Sequence, residues 1–389
     1  MNNKDKDQEY VFEFENDEQE KSYQSCVEFI QSFKKGLFEG DAPYVVGPDQ
    51  KPFPITPERI FTIPPCNEYL KIGFVDGGHA PILISADFNI SFHRVAGAIF
   101  QASEPFPLNN MPNVVEFYTG TILTPKDDGS LEFRTKFFPR NQNHSKYLPK
   151  ADITINSKDG SIRRGKFIVK IERFGSIARR FAEWSYGKEL INNELEEGEI
   201  FVRDGSLQTS YKGEIKLADQ LYQVALTKGV IVSGLSKTCR LLTKKGDSLV
   251  TVLGLIGSNI YKESEWYYHP IYQITEADNQ ADLYFVKLHR NSYYPFRFDI
   301  YIKQSQELTQ EERERIISNL ASNSKDLSFP GYPYGLIKVD QLSRVAYREL
   351  DTHKIMLLSE FDREHYEKYI LPRLRSVDAH DLLNKIRRN

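Results

Sequence analysis

Apolar and polar positions along this chain follow two periods. Over residues 18–38 the apolar side chains Tyr23, Val27, Ile30, Phe33 and Leu37 recur at helical spacing, which predicts a helix. The Pro/Gly-rich stretch GDAPYVVGPDQKPFPITPER reads as a connector. YLKIGFVDGG is then predicted as a strand stopped by its two glycines, and ILISADFNISFHRVAGAIFQ and NVVEFYTGTIL as long strands. Residues 124–161 are polar and turn-rich, with KDDGS and SKDG, and predict hairpins or an inserted β-rich lobe. A helix over 176–193, the strand EIFVRDGS, the helix KLADQLYQVALTKG and the short buried strand VIVSGLSK follow. SLVTVLGLIG, WYYHPIYQI, LYFVKLHR and FRFDIYIK are predicted as strands in series. Helices over 307–322, 333–350 and beyond 361 close the chain. No solenoid period is present.

Strands first, then strands alternating with helices, suit an α/β domain built on a mixed sheet flanked by helices. The expected division is an acidic flexible tail over 1–21, an N-terminal helix and Pro-rich connector over 22–65, a main domain over 66–350 and C-terminal helices over 351–389. With 40% hydrophobic and 27% charged residues among 389, the composition is that of a globular protein with a substantial core. Cys26, Cys66 and Cys239 are scattered, which argues against a disulfide framework or a cysteine zinc site and for a reducing, cytoplasmic setting. No apolar run is long enough to span a bilayer, so no membrane partner is expected.

The net charge of −3 is unevenly spread. Residues 1–21 hold three lysines against eight acids, a local −5 that leaves +2 on the remainder. Cations then cluster as Arg163, Arg164, Lys166, Lys170, Arg173, Arg179 and Arg180, a pattern suited to contacting phosphates.

Two segments end apolar strands in the same way, IGFVDGG with Asp76 and IFVRDGS with Asp204. An acid at a strand's carboxyl end, followed by glycine, lies where ligands approach an α/β sheet. If the two strands are neighbours, their carboxylates can share a hard cation such as Mg²⁺ or Mn²⁺. The intervening helix IARRFAEWSYGKELINN offers a third acid, Glu183 or Glu189, with Arg179 and Arg180 on the face of Glu183. Three acids can hold two ions for phosphodiester hydrolysis. Lys237, at the end of VIVSGLSK, could neutralise a scissile phosphate. The histidines form no metal pattern; His79, three residues after Asp76, is the one nearest a candidate acid in sequence.

Together FVDGG, the Arg-rich helix with its internal Glu, RDGSL, SGLSK with Lys237, PFRFDIY with Arg297 and Asp299, and GYPYGLIKVDQLSRVA with Tyr332 and Asp340 resemble the NurA nucleases, in matching order across roughly residues 66–350. The resemblance implies a ribonuclease-H-like fold and a Mn²⁺- or Mg²⁺-dependent deoxyribonuclease that degrades DNA from ends. It implies metal ligation by Asp76, Glu183 and Asp204 with Lys237 and Tyr332 as further catalytic groups, DNA contacts from Arg179, Arg180 and Arg297, and Asp299, Asp340 and Glu189 as secondary candidates. It also implies a homodimer working with a hexameric HerA-type ATPase. The chain itself carries no GxxxxGK[ST] motif. Two other readings stay open, a non-catalytic nucleic-acid-binding scaffold of the same fold and a nuclease directed at RNA or a hybrid duplex.

Overall fold

The apolar runs that lead into Asp76 and Asp204 fold as adjacent parallel strands. The computed structural model describes residues 17–31, 41–44, 50–274 and 281–374. The chain divides into two compact units, Met1–Gly40 and Asp41–Asn389. In the first, helix α1 (Asp17–Gln31) covers the start of the expected helix; residues 32–38 and the tail before residue 17 lie outside the described residues.

The second unit is organised around one 12-stranded sheet. Its strands are β1 (Ile60–Thr62), β2 (Lys71–Ile84), β3 (Phe88–Gln101), β4 (Val114–Pro125), β5 (Leu131–Pro139), β6 (Ile153–Asn156), β7 (Ile200–Asp204), β8 (Ile231–Ser236), β9 (Trp266–Tyr268), β10 (Ala281–Lys287) and β11 (Phe296–Tyr301), with a short strand Glu104–Phe106 beside β3. Across the sheet the order is β1-β9-β10-β11-β8-β7-β2-β3-β4-β5-β6. β2, β3 and β4 form an antiparallel meander, β7 runs parallel to β2, and β8 runs parallel to β7. An antiparallel meander followed by two parallel strands on the side of its first strand is the ribonuclease-H-like arrangement. The hairpins of residues 124–161 continue the edge of this sheet through β5 and β6.

Alternation along the strands sends successive side chains to opposite faces. On one face Val75, Val95 and Phe201 pack with helices α2 (Arg173–Glu194) and α3 (Glu214–Lys228). On the other, Ile72, Phe74, Ala96 and Val202 pack with Ile316, Ile317, Leu336 and Val339, which come from helices later in the chain.

Three local expectations are corrected. β2 is not stopped by Gly77 and Gly78 but runs through them to Ile84. A side chain at Gly78 would meet the Ser343 carbonyl oxygen at 2.0 Å, and one at Gly77 would meet Arg179 and Glu183, so these glycines admit neighbouring elements rather than a turn. SLVTVLGLIG is helix α4 (Leu249–Ile260), not a strand. The Ser248 side chain accepts from the Thr251 amide as its cap, and Leu249, Val252, Leu253 and Gly257 bury one helical face. The closing helix expected over 333–350 is broken: after α5 (Gln310–Ser322), α6 (Tyr334–Ser343) and α7 (Tyr347–Ser359) are separated by Arg344 and its neighbours. Residues 375–389 of the expected C-terminal helices lie outside the described residues.

Candidate metal centre

The register Arg203↔Val75 puts Asp204 next to Asp76 at the carboxyl end of the parallel pair β7–β2. Both acids follow the even-numbered positions Phe74 and Val202, whose side chains face α6. Asp340, on α6, completes the group: one carboxylate oxygen from each of Asp76, Asp204 and Asp340 lies within 4.8 Å of the others. α6 can come this close because Gly335 lies on the Phe74 ring, where an added Cβ would fall 1.9 Å from a ring carbon.

Lys237, just past β8, joins two of the three acids. Its Nζ lies 2.7 Å from Asp204 Oδ2 and 2.8 Å from Asp340 Oδ1. Burial pulls the ammonium down, but Asp204 and Asp340 more than offset that and hold it above its usual value. The buried Tyr332 hydroxyl donates to Asp204 Oδ1 at 3.2 Å, and burial together with Asp204 raises its pKa well above the usual phenol. Arg344 holds Asp340 Oδ2 at 2.9 Å. Asp340 stays below the usual carboxylate range because its bonds to Lys237 and Arg344 outweigh its partial burial. Asp76 differs. The Gly77 amide donates to its Oδ1 at 2.7 Å, while the nearest cation, Arg179 Nη1, is 3.7 Å away. Burial, then the charges of Asp204 and Glu183, push its pKa up to about 8.

Glu183 lies on the other face of the sheet, with α2. It is 1% exposed and pairs with Arg203 Nη2 at 2.6 Å and with Arg179. The odd-numbered Arg203 is directed to that face by the same alternation that sends Asp204 to α6. Glu183 therefore neighbours Asp76 through Arg179 but stands outside the group formed by Asp76, Asp204 and Asp340. Glu189 is further along α2, paired with Lys188 at 2.9 Å. Arg180 is committed to the buried Glu214 at 2.8 Å, although it lines the same cavity as the acids. Arg297 Nε and Nη2 donate to the two oxygens of Asp299, whose Oδ2 also accepts from the Leu207 amide at 3.0 Å. That pair thereby fixes the loop that follows Asp204. His79 packs on the buried His93; burial and then Arg179 hold it down to about 4, so it is neutral at physiological pH.

The acids, Arg179, Lys237 and Thr238 line an open cavity of about 400 Å³. The three oxygens grouped within it are all carboxylate oxygens, a set that hard divalent ions take. Asp76, whose charged form is disfavoured by burial and by the charges of Asp204 and Glu183, is where such an ion would stabilise the carboxylate. The residues fit a divalent metal. Sequence reasoning did not single out Arg203. Its signal was the Arg directly before Asp204, which a strand must place on the opposite face.

The fold and site define an α/β protein with a ribonuclease-H-like mixed sheet and a carboxylate cluster shared by β2, β7 and α6. No family model matches the chain, and no curated protein does. Among solved structures it is similar to Aquifex aeolicus Argonaute at 9% identity, covering 71% of this chain and 28% of that one with a TM-score of 0.26. It is similar to Ciona intestinalis endonuclease V in complex with inosine-containing DNA at 11% identity, covering 87% and 100% with a TM-score of 0.32. The catalytic domain of human endonuclease V gives 10% identity, 88% and 99% coverage, and a TM-score of 0.30. The chain spans less than a third of the Argonaute chains it matches. No helix among the described residues is long and apolar enough to cross a membrane.

Proposed function

We propose that this protein is a divalent-metal-dependent nuclease that hydrolyses DNA phosphodiester bonds, acting as a NurA-like homodimer with a HerA-type ATPase. The observation that supports it best is the convergence of Asp76, Asp204 and Asp340 with Lys237 and Tyr332 in one cavity. Asp76, Asp204 and Asp340 would hold Mn²⁺ or Mg²⁺. When bound, such an ion supplies Lewis-acid stabilisation of charge on the phosphoryl oxygens.

The chain's own groups do the rest. Lys237 is a fixed ammonium at the cavity wall, able to meet a non-bridging phosphate oxygen while keeping Asp204 and Asp340 in place. Tyr332, protonated throughout the physiological range, orients the Asp204 carboxylate by its hydrogen bond. Arg179 presents a guanidinium beside Asp76 and is held there by Glu183 and by the Gly77 carbonyl, which accepts at 3.0 Å. Glu183 is a positioning residue in this geometry.

The test is incubation of the pure protein and Mn²⁺ with end-labelled DNA, RNA and hybrid duplexes. Loss of DNA label that chelation stops, and that Asp204→Asn removes, is the expected result. Cleavage confined to RNA or hybrid would move the substrate class. Binding to DNA with no cleavage of any substrate would replace the enzyme with a nucleic-acid-binding scaffold.

A further inference from the structure

Just before α2 the chain forms a small hairpin that belongs to no other sheet. Arg163–Arg164 pairs with Phe167–Ile168 in register Phe167↔Arg164 and Ile168↔Arg163. Gly165, at φ 61°, takes the left-handed first turn position that such a two-residue loop favours. The hairpin is closed at its base by the Val169 amide donating to the Ile162 carbonyl at 2.9 Å. Beyond that base every residue is exposed, with Phe167 78% and Ile168 41% accessible. A phenylalanine held in water at the tip of a two-stranded ribbon contributes nothing to the core. No carboxylate among the described residues pairs with Arg163, Arg164, Lys166 or Lys170, whereas the cations around the acids are all paired.

Directly opposed residues of an antiparallel pair share one face. Arg164 therefore stands beside Phe167, and Arg163 beside Ile168, so each face offers one cation next to one apolar group. That is the combination that holds an unpaired nucleotide, its base on the ring and its phosphate on the guanidinium. The hairpin is also continuous with the candidate centre. Arg173, exposed in the first turn of α2, donates to the Tyr211 hydroxyl at 3.2 Å, and Arg180 lies over the Tyr211 ring. From Arg173 the helix rises six residues, about 9 Å, to Arg179 at the cavity.

We propose that this hairpin is a single-strand-binding clamp, with Phe167 stacking on a base of the strand whose scissile phosphate lies at the carboxylates. This rests on the nuclease reading above. The helix alone separates Arg173 from Arg179 by about 9 Å, the length of between two and three stacked nucleotides, and Phe167 lies a further six residues before Arg173 in the chain. A short oligonucleotide at the centre does not reach the hairpin; a longer one does.

The experiment compares fluorescein-labelled single-stranded DNA of three and of twelve nucleotides, with binding read by anisotropy in EDTA and cleavage in Mn²⁺. Variants are Phe167→Ala, the triple change Arg163→Ala, Arg164→Ala and Lys166→Ala, and Phe167→Trp as a reporter, with melting curves to verify folding. Phe167→Ala should weaken twelve-nucleotide binding about tenfold, raise KM with little change in kcat, and leave trinucleotide cleavage alone. The triple variant should lower the slope of log affinity against log salt by about two for the longer strand. Emission of Phe167→Trp should be quenched by the twelve-nucleotide strand and not by the three. Wild-type binding and cleavage with both variants unchanged and no quenching would overturn the clamp while leaving the nuclease reading in place. No binding or cleavage by the wild type would overturn both. Emission that responds to phosphatidylserine vesicles but not to the oligonucleotide would overturn the clamp in favour of a lipid surface.

Discussion

Asp76 and Glu183 are both buried acids near one guanidinium, yet Glu183 is closely paired with Arg203 and Arg179 while Asp76 stands 3.7 Å from Arg179. Asp76 has its pKa raised from 3.8 to about 8 by burial and by Asp204 and Glu183. A raised acid pKa means that folding favours the protonated form. Its stabilising contribution is complete below about pH 4 and is lost progressively as pH rises toward 8. In EDTA, Asp76→Asn should therefore match or exceed the wild-type melting temperature at pH 8, while Mn²⁺-dependent cleavage falls by orders of magnitude. Asparagine keeps an oxygen for the Gly77 amide. The same group predicts that Mn²⁺ displaces a proton near neutral pH, so affinity should increase up to about pH 8, with calorimetric heats that depend on buffer ionisation enthalpy. A variant that melts well below wild type at pH 8 would mean that Asp76 is compensated in the folded protein. Glu183→Gln, by contrast, should cost stability. Glu183 is clasped by Arg203 and Arg179 with almost no exposure, and Glu183→Gln leaves those guanidinium charges buried without their partner. Urea denaturation should show a loss of about 3–5 kcal/mol, against less than about 0.5 kcal/mol for the partly exposed Glu189→Gln. Unchanged stability in Glu183→Gln with abolished cleavage would instead favour Glu183 as a metal ligand.

At the scale of elements, the close approach of α6 to β2 decides which acids meet. Asp340 reaches Asp76 and Asp204 because Gly335 rests on Phe74 and Gly78 rests on the Ser343 carbonyl. Gly335→Ala should push α6 away from the sheet, costing on the order of 1–3 kcal/mol through overpacking and reducing Mn²⁺ affinity along with activity. Gly160→Ala, where a Cβ meets nothing within 4 Å, is the matched control and should do neither. Equal metal affinity in the two variants would separate Asp340 from the site. This contact also marks where sequence reasoning stopped. Asp76 and Asp204 were legible because apolar runs leading into Asp-Gly carry a local signal, although the strand of Asp76 continues past it to Ile84. Asp340 was legible only as a position in a motif, since nothing local says that a helix more than a hundred residues later will cover Asp204. Glu183 looked equivalent to the strand acids in sequence; which face it occupies is decided by strand parity and the position of Arg203. SLVTVLGLIG misled for a similar reason, because a largely apolar run of that length suits strand or helix, and the Ser248 cap decides.

For the whole molecule, the proposed nuclease function raises the question of how such a protein would process long DNA. The sequence holds no GxxxxGK[ST] motif, so that machinery for moving along a duplex is not encoded in it. Among the described residues there is one cluster of three carboxylates, in a cavity of about 400 Å³, so on the proposed function each chain would cut one phosphodiester at a time. Degrading both strands of a duplex end then calls for a second centre, and two-fold pairing of identical chains supplies one at the least structural cost. Two such centres related by a dyad would face strands of opposite polarity, which are themselves related by a dyad. A motor that feeds the duplex to them completes the scheme, and the NurA-like motifs make a HerA-type ring the partner to try. Light scattering of the pure protein at micromolar concentration should give about twice the 45.1 kDa chain mass. Adding the ATPase should produce a larger complex, and ATP should lengthen the tract removed from each end without changing the metal requirement. A strict monomer that forms no complex would remove the dimer and the ring while leaving the carboxylate centre to stand on its own tests.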